Sequence, residues 1–168
     1  PYGLSKVTAE AAAGAVARLQ GVPAVSIRPS WIQYPGDYAC RADEYVNDLD
    51  AGAGNFWSYV DARDAADLVA AALADLLGDD PAVAPGTHEA VNCVAADNAL
   101  GRPLLDLLRE SYGEIPDDCA VDASALAEGD DRGAYAVEKA ERLFGWTPSR
   151  SWRDAAGEAV AEPTLFEE

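Results

Sequence analysis

Pro1-Tyr2-Gly3-Leu4-Ser5-Lys6-Val7-Thr8-Ala9-Glu10 opens an Ala-rich run that ends at Gly21, and Ala24-Val25-Ser26-Ile27-Arg28-Pro29 follows. The first stretch predicts a helix over 3–20, because Ala, Val and Leu recur at helical spacing and Gly21 supplies a stop. The second predicts a short, mostly buried strand ended by Pro29. A helix that hands over to an apolar strand is the rhythm of a parallel α/β sheet. Within the helix, Tyr2 and Lys6 stand four residues apart, so their side chains share a face. A lysine cation beside a phenol favours loss of the phenolic proton, which suits that phenol to proton transfer. Ala9, Ala12, Ala13 and Ala17 form a small-residue face that suits close packing against another helix.

The remaining segments keep the alternation going before turning helical. Ser30 to Asp37 reads as a loop, with Tyr34-Pro35-Gly36-Asp37 as a strong turn signal. A helix over 38–51, a turn over 52–55 and a strand over 56–60 are expected next. Asp64 is expected to cap a helix over 65–77. A strand over 89–94 and a helix over 102–112, buried through Leu104, Leu105, Leu107 and Leu108, follow. Residues 113–133 read as an acidic loop. A helix over 138–144 is stopped by Gly145, Trp146-Thr147-Pro148 is expected to lock the small domain's packing, and Ser151 caps a last helix over 152–161. The predicted class is therefore α/β: part of a parallel sheet plus a small, mainly helical subdomain.

Composition narrows the function classes. The chain has 168 residues, 49% of them hydrophobic, enough for one domain with a core. Thirty Asp and Glu against twelve Lys and Arg give a net charge of −18. That excludes nucleic acid and anionic membrane surfaces as expected partners, since both require a basic face. No apolar run reaches the ~20 residues of a membrane span. Only Lys6 and Lys139 are lysines. An acidic, Lys-poor, Ala-rich chain points to the cytosol of a halophile, where salt screens self-repulsion. The alternative is an acidic protein of a GC-rich genome. Cys40, Cys93 and Cys119 are far apart and odd in number, which argues for reduced thiols, a cytoplasmic location and no metal site. His88 is the only histidine, and is expected at a loop or strand edge. With no Met anywhere, the chain is expected to be the second part of a larger protein.

Five segments in order carry a resemblance. Pro1-Tyr2-Gly3-x-Ser5-Lys6 with Glu10 resembles the active-site segment of the extended short-chain dehydrogenase/reductase family, which includes sugar epimerases, dehydratases and reductases. Val25-Ser26-Ile27-Arg28-Pro29 is similar to that family's strand ending in Arg-Pro. Tyr59-Val60-Asp61-Ala62-Arg63-Asp64-Ala65-Ala66 is similar to its Val-Asp-Asp-Val-Ala segment, and Val91-Asn92-Cys93-Val94 to its late Tyr-Asn-Val-Gly strand. Lys139-Ala140-Glu141-Arg142-Leu143-Phe144-Gly145-Trp146-Thr147-Pro148 is similar to its near-terminal Lys-Ala-x-x-x-Leu-Gly-Trp-x-Pro. The chain departs at Ile32-Gln33-Tyr34-Pro35, where the family has Val-Tyr-Gly-Pro.

The resemblance implies that residues 1–34 and 59–95 are the C-terminal part of a Rossmann-type dinucleotide-binding domain, with 35–58 and 96–168 as a substrate-side subdomain. It implies NAD or NADP as cofactor and a sugar or related hydroxyl/carbonyl compound as substrate. Tyr2 would exchange the proton and also contact the cofactor, Lys6 would assist it and bind the nicotinamide ribose, and Pro29, Ser30 and Ile32 would hold the nicotinamide. Trp31, Tyr34 and Trp57 are expected either to line a substrate pocket or to pack in the core. Arg63 either grips the substrate or pairs with a neighbouring carboxylate; Arg28 is a surface arginine or a buried salt-bridge partner. The family's diphosphate-gripping Arg has no counterpart in 55–58, and Arg132 is out of register for a second. No Gly-x-x-Gly-x-x-Gly follows a strand anywhere in the chain, and the family's third catalytic Ser or Thr is also missing. The 168 residues alone are therefore expected to be inactive. The resemblance also implies a homodimer through helix 3–20; the alternative is that its small-residue face packs inside one subunit. The alternative function is a non-catalytic, cofactor-sensing regulator or scaffold on the same fold.

Overall fold

The computed structural model describes residues 1–41, 43–113 and 129–154. Along the chain run α1 (Tyr2–Gln20), β1 (Ala24–Pro29), β2 (Trp31–Gln33), a 3₁₀ turn (Ala39–Arg41), α2 (Asp43–Asn47) and α3 (Leu49–Ala53). Then come β3 (Tyr59–Asp61), α4 (Ala62–Leu76), β4 (His88–Cys93), α5 (Leu104–Tyr112) and α6 (Glu138–Phe144). The architecture is α/β, with parallel strands in two short pairs. Contacts divide it into two units: residues 1–29, 64–93 and 136–147, and residues 30–63, 94–135 and 148–168.

In the first unit, β1 and β4 pair in parallel from Ala24↔His88 to Pro29↔Cys93. Gly21 ends α1 in the left-handed conformation (φ 66°) and donates its N–H to the Ala17 carbonyl, a conformation only glycine adopts without penalty. Two contacts fix how α1 lies on the strands. Glu10 bonds Arg28 near the end of β1, while a Cβ at Gly14 would stand 3.6 Å from that of His88 at the start of β4. The helix therefore runs antiparallel to the strands, and its N-terminus lies toward their carboxyl ends. Ser26 Oγ and His88 Nε2, 2.8 Å apart, join the strand pair through side chains. His88 is thus the first residue of a strand, at its edge. Helix α6 is tied down by Lys139 on Glu89 at 2.6 Å, and the Trp146 indole donates to the Asp64 carbonyl at 3.0 Å.

In the second unit, β2 and β3 pair in parallel, Trp31↔Tyr59 to Gln33↔Asp61. The core gathers Cys40, Tyr45, Trp57, Tyr59, Leu104, Leu107 and Leu108. Four expectations are corrected here. Residues 30–37 hold a strand, β2, as well as the Tyr34–Asp37 turn. The helix over 38–51 is three short pieces, the last capped by the Asp48 carboxylate. The strand over 56–60 starts only at Tyr59, because Phe56 and Trp57 have φ of 54° and 52°, which no strand accommodates. Helix α4 begins at Ala62, and its cap is Asp61, whose carboxylate accepts the Arg63 N–H at 2.7 Å; Asp64 sits in the first turn. At the end of the chain, residues 152–154 form a turn, while the rest of the helix expected to residue 161 lies outside the described residues, as does Cys119.

Candidate functional site

The first turn of α1 has no side-chain cap; its Ser5 N–H bonds the Pro1 carbonyl at 3.1 Å. Ser5 and Thr8 turn their hydroxyls back onto the Tyr2 and Leu4 carbonyls, at 2.6 and 2.8 Å. That leaves the outward face to Tyr2 and Lys6. Lys6 Nζ stands 5.0 Å from the centroid of the Tyr2 ring, within cation–π range, and Tyr2 is 76% exposed. Among the described residues Lys6 makes no ion pair. Because α1 is antiparallel to β1 and β4, the pair lies toward the carboxyl ends of these parallel strands, the end where open α/β sheets bind ligands.

The other sequence candidates fall as follows. Pro29 closes β1. Ser30 Oγ is buried without a hydrogen-bond partner. Ile32 is partly exposed, and Trp31 packs its ring 5.1 Å from that of Tyr45. Tyr34 is half-exposed and bridges to Asp37. Trp57 is fully buried and donates its indole N–H to the Leu49 carbonyl at 2.9 Å, so of its two expected fates it takes the core one. Arg63 makes a fork with Asp61, Nε to Oδ1 at 2.9 Å and Nη2 to Oδ2 at 2.8 Å. Tyr38 donates its hydroxyl to the same carboxylate. Burial and the bond to Asp61 together push the Tyr38 phenol above its ordinary range.

Sequence reasoning missed a polar hub in the second unit. Asp97 Oδ1 accepts from the Tyr59 hydroxyl, and Oδ2 accepts from Ser151 Oγ and Arg153. An open cavity of about 310 Å³ lies beside it, lined in part by Ser149, Arg150, Ser151 and Arg153. Both oxygens of Asp97 are taken, so the hub is suited to holding residues 151–153 rather than to proton transfer. The sequence offered Ser151 as a helix cap, which gave no sign of its bond to Asp97. Among the described residues, no three His, Cys, Asp or Glu side chains cluster as metal ligands, and no helix is long and apolar enough to cross a membrane. No protein-family model and no curated protein matches the chain.

Proposed function

We propose that this chain supplies the proton-transfer half of an NAD(P)-dependent oxidoreductase, epimerase or dehydratase of the extended short-chain dehydrogenase/reductase kind, on a Rossmann-type sheet. The observation that carries the reading is the Tyr2/Lys6 pair, ring and ammonium 5.0 Å apart, toward the carboxyl ends of two parallel strands. Tyr2 Oη passes a proton to or from a substrate hydroxyl or carbonyl, with Lys6 on the same helical face beside its ring.

Two separate features, one in each unit, support a nicotinamide cofactor. Ser30 Oγ is a buried hydroxyl with no partner, a state that ordinarily signals a missing one. Lys6 Nζ is an ammonium with no carboxylate on it among the described residues. Lys6 would hold the ribose, and Pro29, Ser30 and Ile32 the nicotinamide. When bound, the cofactor supplies or accepts the hydride.

The substrate in this reading is a sugar or related hydroxyl/carbonyl compound. Two arginines, Arg63 and Arg153, favour an uncharged one. Arg63 is forked onto Asp61, which is fully buried, and Arg153 bonds both Asp97, which is 9% exposed, and Asp131. Turning either guanidinium to a diphosphate would leave a buried carboxylate without its cation, held only by neutral donors. Arg102 and Arg132 are held by Glu110 and Asp130. A halophilic cytoplasm fits the charge of −18. A homodimer through α1 fits its exposed Leu4, Val7, Val16 and Leu19.

The test expresses the chain with whatever native sequence precedes Pro1 and follows NADH and NADPH fluorescence, then absorbance at the nicotinamide band with a panel of aldoses and polyols. Tyr2→Phe is expected to keep cofactor binding and lose turnover. Full turnover in that variant overturns the catalytic role, and cofactor binding with no turnover by the unaltered chain favours a sensor. The 168 residues by themselves are expected to give no cofactor-dependent signal.

A further inference from the structure

We infer that Glu10 and Arg28 are a positioning pair, which sets where the Tyr2/Lys6 face of α1 stands at the carboxyl end of β1; their catalytic relevance rests on the role proposed for Tyr2 and Lys6. Arg28 Nε donates to Glu10 Oε1 at 2.7 Å, and Nη2 to Oε2 at 2.6 Å. Two parallel bonds between two planar groups fix an angle as well as a distance.

The two ends of this fork are placed to matter. Tyr2, Lys6 and Glu10 succeed one another at intervals of four and share one helical face. Arg28 immediately precedes Pro29, the last residue of β1. Residues 1–9 are all exposed, and Glu10 is the first residue of α1 that is not. The side-chain bonds of residues 2–8 stay within the helix, Ser5 to Tyr2 and Thr8 to Leu4. Counting from the N-terminus, the fork is therefore the first tether between α1 and another element among the described residues. The hydrogen bond from Arg28 holds the Glu10 carboxyl below its usual range, with the Arg28 charge adding to it, so both partners are ionised at neutral pH.

The Glu10 and Arg28 side chains are 26% and 55% exposed. An ion pair that open contributes little to global stability. Its consequence falls on the two turns of helix ahead of it.

The test labels the chain with 3-fluorotyrosine and assigns the Tyr2 fluorine resonance by its loss in Tyr2→Phe. Glu10→Gln and Arg28→Gln are each expected to move that resonance and to speed amide exchange over residues 6–10 about tenfold. The melting temperature should stay within about 2 °C. The exchanged pair, Glu10→Arg with Arg28→Glu, is expected to restore both signals. Tyr2 lies about 12 Å from Glu10 along the helix axis, so a role confined to the fork would leave its resonance in place. An unmoved Tyr2 resonance with unchanged exchange in both single variants overturns the inference, as does a shift that the exchanged pair fails to reverse. None of these signals requires turnover. If Tyr2→Phe keeps full activity while the fork variants still move the resonance, the proposed function fails and the positioning stands.

Discussion

The Tyr59 hydroxyl donates to Asp97 Oδ1 at 2.5 Å, across 38 residues of sequence, and accepts the Trp152 N–H at 2.9 Å. Burial, and then the bond to Asp97, push the Tyr59 phenol well above its ordinary range, so it remains a donor wherever the protein is folded. Asp97 also accepts from Ser151 Oγ at 2.6 Å. We expect Tyr59→Phe to lower stability by about 1.5–3 kcal/mol, the usual effect of deleting a bond to a charged group. Urea unfolding checks this. A loss under about 0.5 kcal/mol would mean that the carboxylate finds another donor and that Tyr59 is not needed to hold residues 151–153.

Asp61 predicts a specific response to acid. Burial alone would raise its carboxyl, but the Arg63 fork, the Tyr38 hydroxyl and the Arg63 N–H more than offset that, and the net shift is downward. A carboxyl depressed in the folded state contributes stability that is fully present above the ordinary carboxylate range and is lost as pH falls through the depressed value. Acid also relieves the self-repulsion of a chain at −18, which acts in the opposite direction. The clean measurement is therefore a difference. Between about pH 6 and pH 2, the melting temperature of the native chain should fall more steeply than that of Asp61→Asn. Parallel curves would remove Asp61 from the acid response.

What could be read from the sequence was local. Helix α1 was expected over 3–20 and α6 over 138–144, and both lie within a residue of those bounds, because helical periodicity and a following glycine depend only on near neighbours. The approach of Tyr2 and Lys6 was legible for the same reason. Strand β2 was not: three residues, with only Gln33 buried, are too few to show alternation, and the turn signal beside them dominated. Phe56 and Trp57 read as strand by propensity, but the close approach of Trp57 to Gly52 overrode it. The links from Asp97 to Tyr59 and from Ser26 to His88 span 38 and 62 residues, and no sequence period reports such pairings.

Two thiols should be inert in the native chain. Burial, followed by the nearby Asp64 charge, pushes the Cys93 thiol up to about 12. Cys40 is fully buried. Only the thiolate reacts with alkylating agents, so access and ionisation both protect Cys93. Iodoacetamide at pH 8, followed by peptide mass analysis, should leave both residues unmodified in the folded chain and modify both in denaturant. Native-state labelling of Cys93 at the rate of the denatured chain would show that strand β4 opens freely.

A pair of glycines separates packing from backbone freedom. A Cβ at Gly52 would lie 2.3 Å from Trp57 Cδ1 and 2.9 Å from its Nε1. The indole has no route of retreat: it is fully buried, its Nε1–H donates to the Leu49 carbonyl, and the Trp57 backbone N–H donates to the Gly52 carbonyl at 2.8 Å. Overpacking of this kind costs about 1–3 kcal/mol or more, so Gly52→Ala should be strongly destabilised and should lose part of the near-ultraviolet dichroism of its tryptophans. Gly54, two residues on, has φ −61° and nothing within 4 Å of an added Cβ. Gly54→Ala should be neutral or gain up to about 1 kcal/mol, because alanine narrows the unfolded ensemble without straining the folded one. Denaturant midpoints of the two variants decide the matter. If Gly52→Ala matched Gly54→Ala, the fit of Trp57 over Gly52 would not be what forces residues 56 and 57 out of the strand.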